Sequence, residues 1–263
     1  MKKLASFIVL FALVSLAKAQ DAAAISEALA KGKQLTEDGF YSFDKNKFVE
    51  AHNLFERILS ADPDNNEAKY YIALAESRLV TIAAVKDDDD LYDKYVDLAE
   101  ASGEKVMSLK GYEDEGRVVL ANTLMMEIVK SSIKGALLSG KINDLIDEAL
   151  EKNPSNPRAY MIKGAMKLNT PSFFGGSVEK AIENFNKAVK IYEDGKGNNN
   201  GVSWGHAEAL SWLGQALMRD GKAKEAAEAY NKALALRPDY GHVKYVLLPQ
   251  VEEQLKQTAA EGK

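Results

Sequence analysis

Residues 207–240 read AEALSWLGQALMRDGKAKEAAEAYNKALALRPDY, and this stretch decides the fold of the chain. Its first half places three leucines and Gly214 on one face of a helix, because residues three and four apart share a face. Gly221 then breaks the pattern, a second stripe of apolar and small residues follows, and Pro238 ends it. Small side chains at Gly214 and Ala226 would let the two helices approach closely. The stretch therefore predicts a pair of antiparallel helices.

The same positions resemble the tetratricopeptide repeat, a helix–turn–helix unit of about 34 residues. Leu210 stands where the pattern prefers Trp. The remaining signature positions match at Leu213-Gly214, Ala226, Tyr230, Ala233 and Pro238. The resemblance implies an all-α fold, in which helix pairs stack into a right-handed α-solenoid because each pair buries its apolar face against the next.

Weaker copies of the pattern occur earlier in the chain. The better ones span 32–65 and 157–193, and the second carries an insertion within TPSFFGGS. The prolines that end repeats are not spaced by multiples of the repeat length, which indicates irregular helices and inserted loops. We expect about five antiparallel helix pairs, near 21–61, 66–110, 114–153, 157–193 and 205–236, and a C-terminal capping helix at about 242–257. We treat residues 20–263 as one solenoid domain.

The first residues, MKKLASFIVLFALVSLAKAQ, have the composition of a secretory signal peptide. Two lysines precede an apolar stretch, and Ala17-Lys18-Ala19 forms a small-x-small cleavage site. The apolar stretch is shorter than the roughly 20 residues needed to span a bilayer, which disfavours an uncleaved anchor. We therefore expect residues 1–19 to be removed and the product to be a soluble protein of the periplasm. Since the chain has no cysteine, it offers no residue for a bacterial lipid anchor.

Composition excludes several classes of function. The absence of cysteine excludes disulfides, thiolate zinc sites, iron–sulfur clusters and cysteine nucleophiles. A balance of 34 basic against 39 acidic side chains gives a net charge of −5, without the basic footprint of a nucleic-acid-binding protein. No Gly-rich phosphate loop occurs, and the three histidines lie far apart in the sequence. The G-x-S-x-G stretch GVSWG, residues 201–205, follows a segment rich in Gly and Asn and no apolar strand, so it lacks the strand–turn–helix context of a nucleophile elbow. We therefore expect a protein that is not an enzyme and that uses no cofactor and no metal.

Two segments suggest ligand sites but have simpler interpretations. Lys86 precedes the run Asp87–Asp90, whose consecutive carboxylates point in different directions. We expect a solvated turn whose last residue, Asp90, caps the following helix and complements its dipole. Residues 193–201, EDGKGNNNG, lack the alternating acidic oxygens of a calcium loop, so we expect a flexible connector there.

In tetratricopeptide stacks the first helix of each pair lines a concave groove, and the resemblance implies such a groove here. The implied partner-binding residues are aromatic and aliphatic with scattered polar and arginine side chains: Phe40, Tyr70, Tyr71, Leu74, Arg78, Arg158, Met161, Ile162, Trp212, Gln215, Met218 and Arg219. Such a groove suits a peptide segment of another envelope protein. The same residues could instead pack against the terminal helix or each other. Phe173 and Phe174 of the inserted loop could cap the stack or face a partner.

The stretch PSFFGGSVEKAIENFNKAVKIYE, residues 171–193, resembles the helical T component found beside tripartite TRAP transporters. That resemblance implies an alternative function, a small-ligand-binding accessory component whose groove encloses a small apolar ligand. Members of that family are typically lipoproteins, whereas this chain has no cysteine. The leading prediction is an exported, non-catalytic scaffold that binds a partner segment in its concave groove.

Overall fold

Short turns and one longer connector join eleven α-helices in the computed structural model, which describes the backbone of residues 2–261 and the side chains of residues 22–260. The helices are α1 (Lys2–Ser42), α2 (Lys45–Ala61), α3 (Asn66–Lys86), α4 (Asp89–Met107), α5 (Glu113–Lys130), α6 (Gly135–Lys152), α7 (Pro157–Asn169), α8 (Val178–Glu193), α9 (His206–Arg219), α10 (Ala223–Leu236) and α11 (Leu248–Glu261). Two 3₁₀ turns, Ser132–Lys134 and Ser172–Phe174, and a π turn, Val243–Leu247, complete the chain. Within the described residues the β-pairing consists of an isolated bridge between Asn199 and Val202. The predicted all-α class is confirmed.

Capping side chains start several of the helices. The oxygen that accepts a backbone N–H of the first turn comes from Asp44 for α2, Asn65 for α3, Asp88 for α4, Asn156 for α7 and Ser177 for α8. The cap of α4 is therefore Asp88 and not the predicted Asp90. The reason is that Asp87 ends α3 in a left-handed conformation, so that α4 begins at Asp89 without a longer turn.

Consecutive helices pack as antiparallel pairs, in which a glycine of the first helix meets an aromatic ring of the second. A Cβ atom built at Gly214 would lie 2.3 Å from Cε1 of Tyr230, and one built at Gly164 would lie 2.6 Å from Cε1 of Phe185. These distances are too short for any side chain, so the close approach of the helices requires glycine. The small-and-aromatic positions of the repeat pattern therefore lie where the resemblance predicted them, and the solenoid of helix pairs is confirmed.

Helix α3 departs from the amphipathic pattern of a surface helix. Its buried side chains run from Ala68 to Ala83 and lie on all its faces. The helix touches α1, α2, α4 and α5, which leaves it little surface for solvent. A helix that is apolar all round belongs in an interior, and α3 is the inner helix of this solenoid.

The first and last parts of the solenoid meet each other. Arg237, at the end of α10, pairs with Glu37 at 3.0 Å and with Asp38 at 2.8 Å, both on α1. The guanidinium of Arg237 also lies over the Tyr41 ring, and Tyr41 packs edge-on against Tyr240 with ring centroids 4.9 Å apart. The stack of helix pairs is therefore closed on itself, and α11 follows the closure as the expected terminal helix.

The predicted signal peptide, residues 1–19, lies outside the residues whose side chains the structure describes. Its cleavage and the export of the product remain predictions. Among the residues that are described, no helix combines the length and the apolar character needed to cross a bilayer.

Candidate functional site

The segment between α8 and α9, residues 194–205, crosses the inner side of the solenoid; we call it the connector. Gly197, Val202 and Gly205 are buried, although the sequence predicted a flexible segment. Asn199 and Val202 exchange backbone hydrogen bonds of 3.1 and 2.8 Å around Asn200 and Gly201. Because Asn200 and Gly201 have φ values of 48° and 85°, the two residues form a tight turn of the type I′ kind. The connector therefore has a defined conformation.

Polar side chains of several helices hold the tip of the connector. The Gly201 carbonyl accepts hydrogen bonds from Lys33 Nζ at 2.6 Å and from the Tyr71 hydroxyl at 3.2 Å. The Tyr112 hydroxyl donates to the Asn200 carbonyl at 2.6 Å. These donors belong to α1, to α3 and to the turn before α5. We call the space that they surround, together with Tyr70 and Arg158, the channel.

Arg158 anchors both ends of the connector from the first turn of α7. Its side chain is fully buried and donates to the Gly197 carbonyl at 2.9 Å and to the Trp204 carbonyl at 3.1 Å. The same guanidinium binds Glu115 of α5, with the shortest contact at 2.6 Å. Burial raises the pKa of the Glu115 carboxyl, and the adjacent Arg158 opposes that rise. A buried pair with several hydrogen bonds fixes α5, α7 and the connector in one arrangement.

A second buried arginine joins α3 to α9 beside Trp204. The two terminal nitrogens of Arg78 donate to the two carboxylate oxygens of Glu208 at 3.1 and 2.6 Å. The guanidinium also lies 4.2 Å from the ring centroid of Phe40 and 4.6 Å from that of Trp204. Trp204 Nε1 in turn donates to the Tyr70 hydroxyl at 2.7 Å. Arg78 therefore contacts the ring of Trp204, and Tyr70 binds its polar edge.

A small cleft remains beside Trp204, and the volume in it that is open to a water-sized sphere is about 10 Å³. It is lined by Thr36, Glu37, Phe40, Tyr41, Tyr71, Leu74, Arg78, Trp204, Gly205 and Glu208. Burial raises the pKa of the Glu37 carboxyl, and Arg237 opposes the rise. Pockets for drug-sized ligands occupy about 300–1,000 Å³. The cleft is therefore smaller than a typical pocket for such a molecule.

The predicted groove residues fall into two groups. Those that surround the connector or its flanks are Phe40, Tyr70, Tyr71, Leu74, Arg78, Arg158 and Met161. Ile162 lies apart in the apolar cluster between α5 and α6. The remaining predicted residues lie along α9: Trp212 stacks on Phe185 with ring centroids 6.0 Å apart, Gln215 donates to its own helix, and Met218 packs on the core of the last pairs.

Arg219, the last of the predicted residues, donates to the Leu168 carbonyl at 2.6 Å. The structure therefore does not bring the α9 residues together with Tyr70 and Arg78. Partner binding by either group remains a prediction.

Several residues of the channel were not predicted from the sequence. Glu115 binds Arg158, Glu208 binds Arg78, and the Trp204 ring lies beside the guanidinium of Arg78. The dipeptide Asn200-Gly201 is a readable turn signal, since both residues tolerate positive φ. No comparable local signal marks the two acidic partners, whose arginines are distant in the sequence.

No three His, Asp or Glu side chains within the described part of the chain lie close enough to hold a metal ion. The buried carboxylates of the channel are instead engaged by arginines. The chemistry that the channel offers is hydrogen bonding to backbone carbonyls and contact with aromatic rings.

The comparisons with known proteins agree with this architecture. Residues 207–240 match the family model described as the tetratricopeptide repeat. A thermophilic tetratricopeptide protein of Thermus thermophilus superposes with a TM-score of 0.61 at 19% identity, over 86% of this chain and 98% of that chain. The HusA haemophore from Porphyromonas gingivalis superposes with a TM-score of 0.60 at 22% identity, over 75% of this chain and 93% of that chain. At such identities the likeness concerns the fold.

No curated protein sequence matches the chain significantly. The sequence match at 207–240 and the two structural superpositions indicate the same architecture. The chain is therefore a tetratricopeptide-type protein in its fold, an all-α solenoid whose residues 207–240 form a tetratricopeptide repeat.

Proposed function

We propose that this protein is a non-catalytic interaction module that binds a segment of a partner protein in the channel, the concave groove of the solenoid. The observation that supports this proposal is the way the connector is held. The carbonyl oxygens of Gly197, Asn200, Gly201 and Trp204 all accept hydrogen bonds from channel side chains. Such contacts recognise main-chain carbonyl groups, and a segment of another protein can make the same contacts.

The connector is, in this proposal, an internal occupant that a partner must displace. An attached segment has a high effective concentration, of the order of millimolar for short linkers, so a partner has to bind better than the connector or find it loosened. Trp204 contributes much of the contact that keeps the connector in the channel, because it lies between Arg78 and Tyr70 and contacts both. The partners that fit an exported protein are other proteins of the cell envelope, and binding makes and breaks no covalent bond.

A labelled peptide with the connector's own sequence, residues 196–205, tests whether the channel recognises a separate peptide segment. The variant Val202→Ser/Trp204→Ala loosens the internal connector, because Val202 is fully buried and Trp204 contacts Arg78 and Tyr70. We expect fluorescence polarisation to detect binding of the peptide to this variant and at least tenfold weaker binding to the unaltered protein, because the intact connector competes for the channel at a high effective concentration.

The matched control is Trp212→Ala, which removes the other tryptophan from a stacking contact outside the channel. We expect it to bind the peptide no better than the unaltered protein. If the loosened variant keeps its helicity in circular dichroism and does not bind the peptide, the channel does not recognise separate peptide segments of this kind. Independently of the peptide test, crosslinking in the cell envelope followed by affinity capture identifies natural partners and shows which of them depend on Tyr70 and which on Trp212.

A small apolar ligand is a second candidate, in keeping with the transporter accessory role implied by the likeness of residues 171–193 to TRAP T components. It is supported by the aromatic lining of the cleft and by the likeness of the fold to a haemophore. The size of the cleft opposes it, unless the connector moves. Native mass spectrometry of the gently purified protein, together with titration by haemin, tests this candidate. A co-purifying molecule that Trp204→Ala releases would favour it over a peptide.

A further inference from the structure

The turns inside the helix pairs all lie at one end of the solenoid, because consecutive helices are antiparallel; we call this end the turn edge. Ion pairs join neighbouring turns along it: Lys45 after α1 reaches Asp88 at 2.8 Å, and Lys130 at the end of α5 pairs with Asp87. Exposed large apolar side chains concentrate on this edge, namely Phe43, Val85, Val129, Ile133, Leu137, Phe173 and Phe174.

The apolar character is greatest at the third and fourth turns. Phe173 is 90% exposed, Phe174 74%, Ile133 84% and Leu137 78%. The two phenylalanine rings contact each other edge-on, with centroids 5.2 Å apart. Phe173 and Phe174 therefore neither cap the stack nor fill a core. We call these four residues the apolar patch.

The backbone of the turn between α7 and α8 holds Phe173 and Phe174 in a fixed, outward position. Gly175 has a φ of 89°, and a Cβ atom at Gly176 would lie 1.7 Å from the Thr170 carbonyl oxygen, so both glycines are required by the backbone path. Lys167 closes the loop from α7: its carbonyl accepts from Ser177 N at 2.9 Å, and its Nζ donates to the Gly175 carbonyl at 3.2 Å. A closed turn holds the two rings outward at a low entropic cost.

The charges around the apolar patch are opposite in sign to those of the whole chain. Segments 131–141 and 163–180 contain five lysines and one acidic residue, Glu179, in a protein of net charge −5. Lys134 and Lys163 pair with carboxylates of neighbouring helices. The other three, Lys141, Lys167 and Lys180, form no ion pair with any residue that the structure describes.

We propose that the turn edge docks on an anionic lipid surface through the apolar patch. Projecting aromatic and aliphatic side chains surrounded by unpaired lysines are the pattern of segments that lie in a membrane interface. The rings would enter the headgroup region while the lysine stems lie along it and their ammonium groups meet lipid phosphates. The acidic run Asp87–Asp90 lies at the second turn and faces lysines there, so the edge meets the membrane with its third and fourth turns.

A fluorescent reporter on the fourth turn tests this docking on the full-length protein. The chain has no cysteine, so Ser172→Cys can carry one environment-sensitive label beside Phe173. Ser60→Cys, an exposed position at the opposite end of α2, carries the control label. Both proteins share the same N-terminus, so any binding by the apolar leader affects them alike. The probe is a vesicle of phosphatidylcholine with about a third phosphatidylglycerol.

We expect the label at position 172 to brighten and shift to the blue with these vesicles, and the label at position 60 to remain unchanged. Adding Phe173→Ser/Phe174→Ser should weaken the vesicle partitioning reported at position 172 about tenfold, since the patch loses most of its apolar area. Lys141→Gln and Lys180→Gln should each weaken it about fivefold at low salt.

Three results would overturn the proposal. They are an unchanged label at position 172, equal changes at positions 172 and 60, and partitioning unaffected by the two serine substitutions. A change at position 172 that rises with protein concentration in the absence of vesicles would show that the patch binds a second copy instead. The channel is intact in all these variants, so their outcome is independent of the peptide-binding test.

Discussion

At the scale of single residues, the channel depends on buried charges whose partners are far away in the chain. The repeat pattern placed Arg78 and Arg158 on the inner face of the solenoid, and both lie there. The pattern treated them as free to meet a partner, whereas they bind Glu208 and Glu115, which are 130 and 43 residues away. Side-chain pairs at such separations leave no local signal in a sequence. The positions of the two arginines were therefore predictable from the sequence, and their ion pairs with Glu208 and Glu115 were not.

Arg158→Met should lower the free energy of unfolding by about 3–5 kcal/mol, because it leaves the buried Glu115 carboxylate unpaired. Urea denaturation followed by circular dichroism measures the loss. Arg57→Met, on the exposed face of α2, is the control and should change the free energy by less than about 0.5 kcal/mol. The double variant Arg158→Met/Glu115→Leu should recover part of the stability. If it is no more stable than the single variant, the unpaired carboxylate is not the main cost.

His52 should make stability depend on pH. Its Nε2 lies 2.9 Å from Glu76 Oε1, and this hydrogen bond raises the pKa of His52 while partial burial opposes the rise. Since the folded pKa lies above the unfolded value of about 6.5, the contribution is complete below that pH and is lost as pH rises through the folded pKa. The neighbours that face the ring are Glu56, Asn53, Tyr95 and Glu76.

The measurement is the difference in unfolding free energy between the protein and His52→Gln, which should grow as the pH falls from about 8 to about 6. The two proteins must be compared at each pH, because burial lowers the pKa of His206 and His242. These two histidines therefore change the unfolding free energy with pH in the opposite direction to His52, and they do so equally in both proteins. A difference that stays constant over this range would show that His52 does not titrate with folding.

At the scale of elements, helix pairs were predictable and the connector was not. A pair is specified by spacing within one short stretch, as at Gly214 and Tyr230, so its signal is local. The connector's composition of Gly and Asn indicated flexibility, although Asn200-Gly201 also indicated a tight turn. What orders this segment is the set of donors that α1, α3 and α7 present to its carbonyls. Those donors come together only when the solenoid has formed.

Substituting alanine for two helical glycines should shift stability in opposite directions. Gly140 of α6 has open space around it, so Gly140→Ala should add about 0.5–1 kcal/mol by favouring the helix. Gly214→Ala gains the same propensity but places a methyl group against Tyr230, which costs about 1–3 kcal/mol and outweighs the gain. Thermal and urea unfolding of the two variants measure both effects. A stabilised Gly214→Ala variant would mean that α9 and α10 can separate without cost.

At the scale of the whole molecule, closure distinguishes this solenoid from an open stack. The sequence predicted helix pairs that each touch their neighbours and a groove along the inner face, without deciding whether that groove is open or filled. The structure adds contacts between α1 and the end of α10, residues that lie 200 positions apart. Closure covers one side of the channel and the connector fills it, so that the inner face is an interior. Such long-range contacts follow from the accumulated curvature of all the pairs, which no single repeat encodes.

Arg237→Met should loosen this closure and open the channel. Arg237 pairs with Glu37 and Asp38 and covers Tyr41, and these contacts are partly exposed, so we expect a loss of about 1 kcal/mol. Hydrogen exchange should quicken about fivefold in residues 36–42, in 237–247 and in the connector, because α1 carries Lys33, which holds the connector's tip. The control is Arg219→Met, whose contacts join only the neighbouring helices α7 and α9.

If exchange quickens at the two ends but not in the connector, the channel side chains hold the connector without help from the closure. If exchange quickens in all three segments, closure and channel form one cooperative unit. A partner that binds the channel would then have to open the solenoid as well as displace the connector, and Arg237→Met should strengthen binding of the 196–205 peptide to the loosened variant.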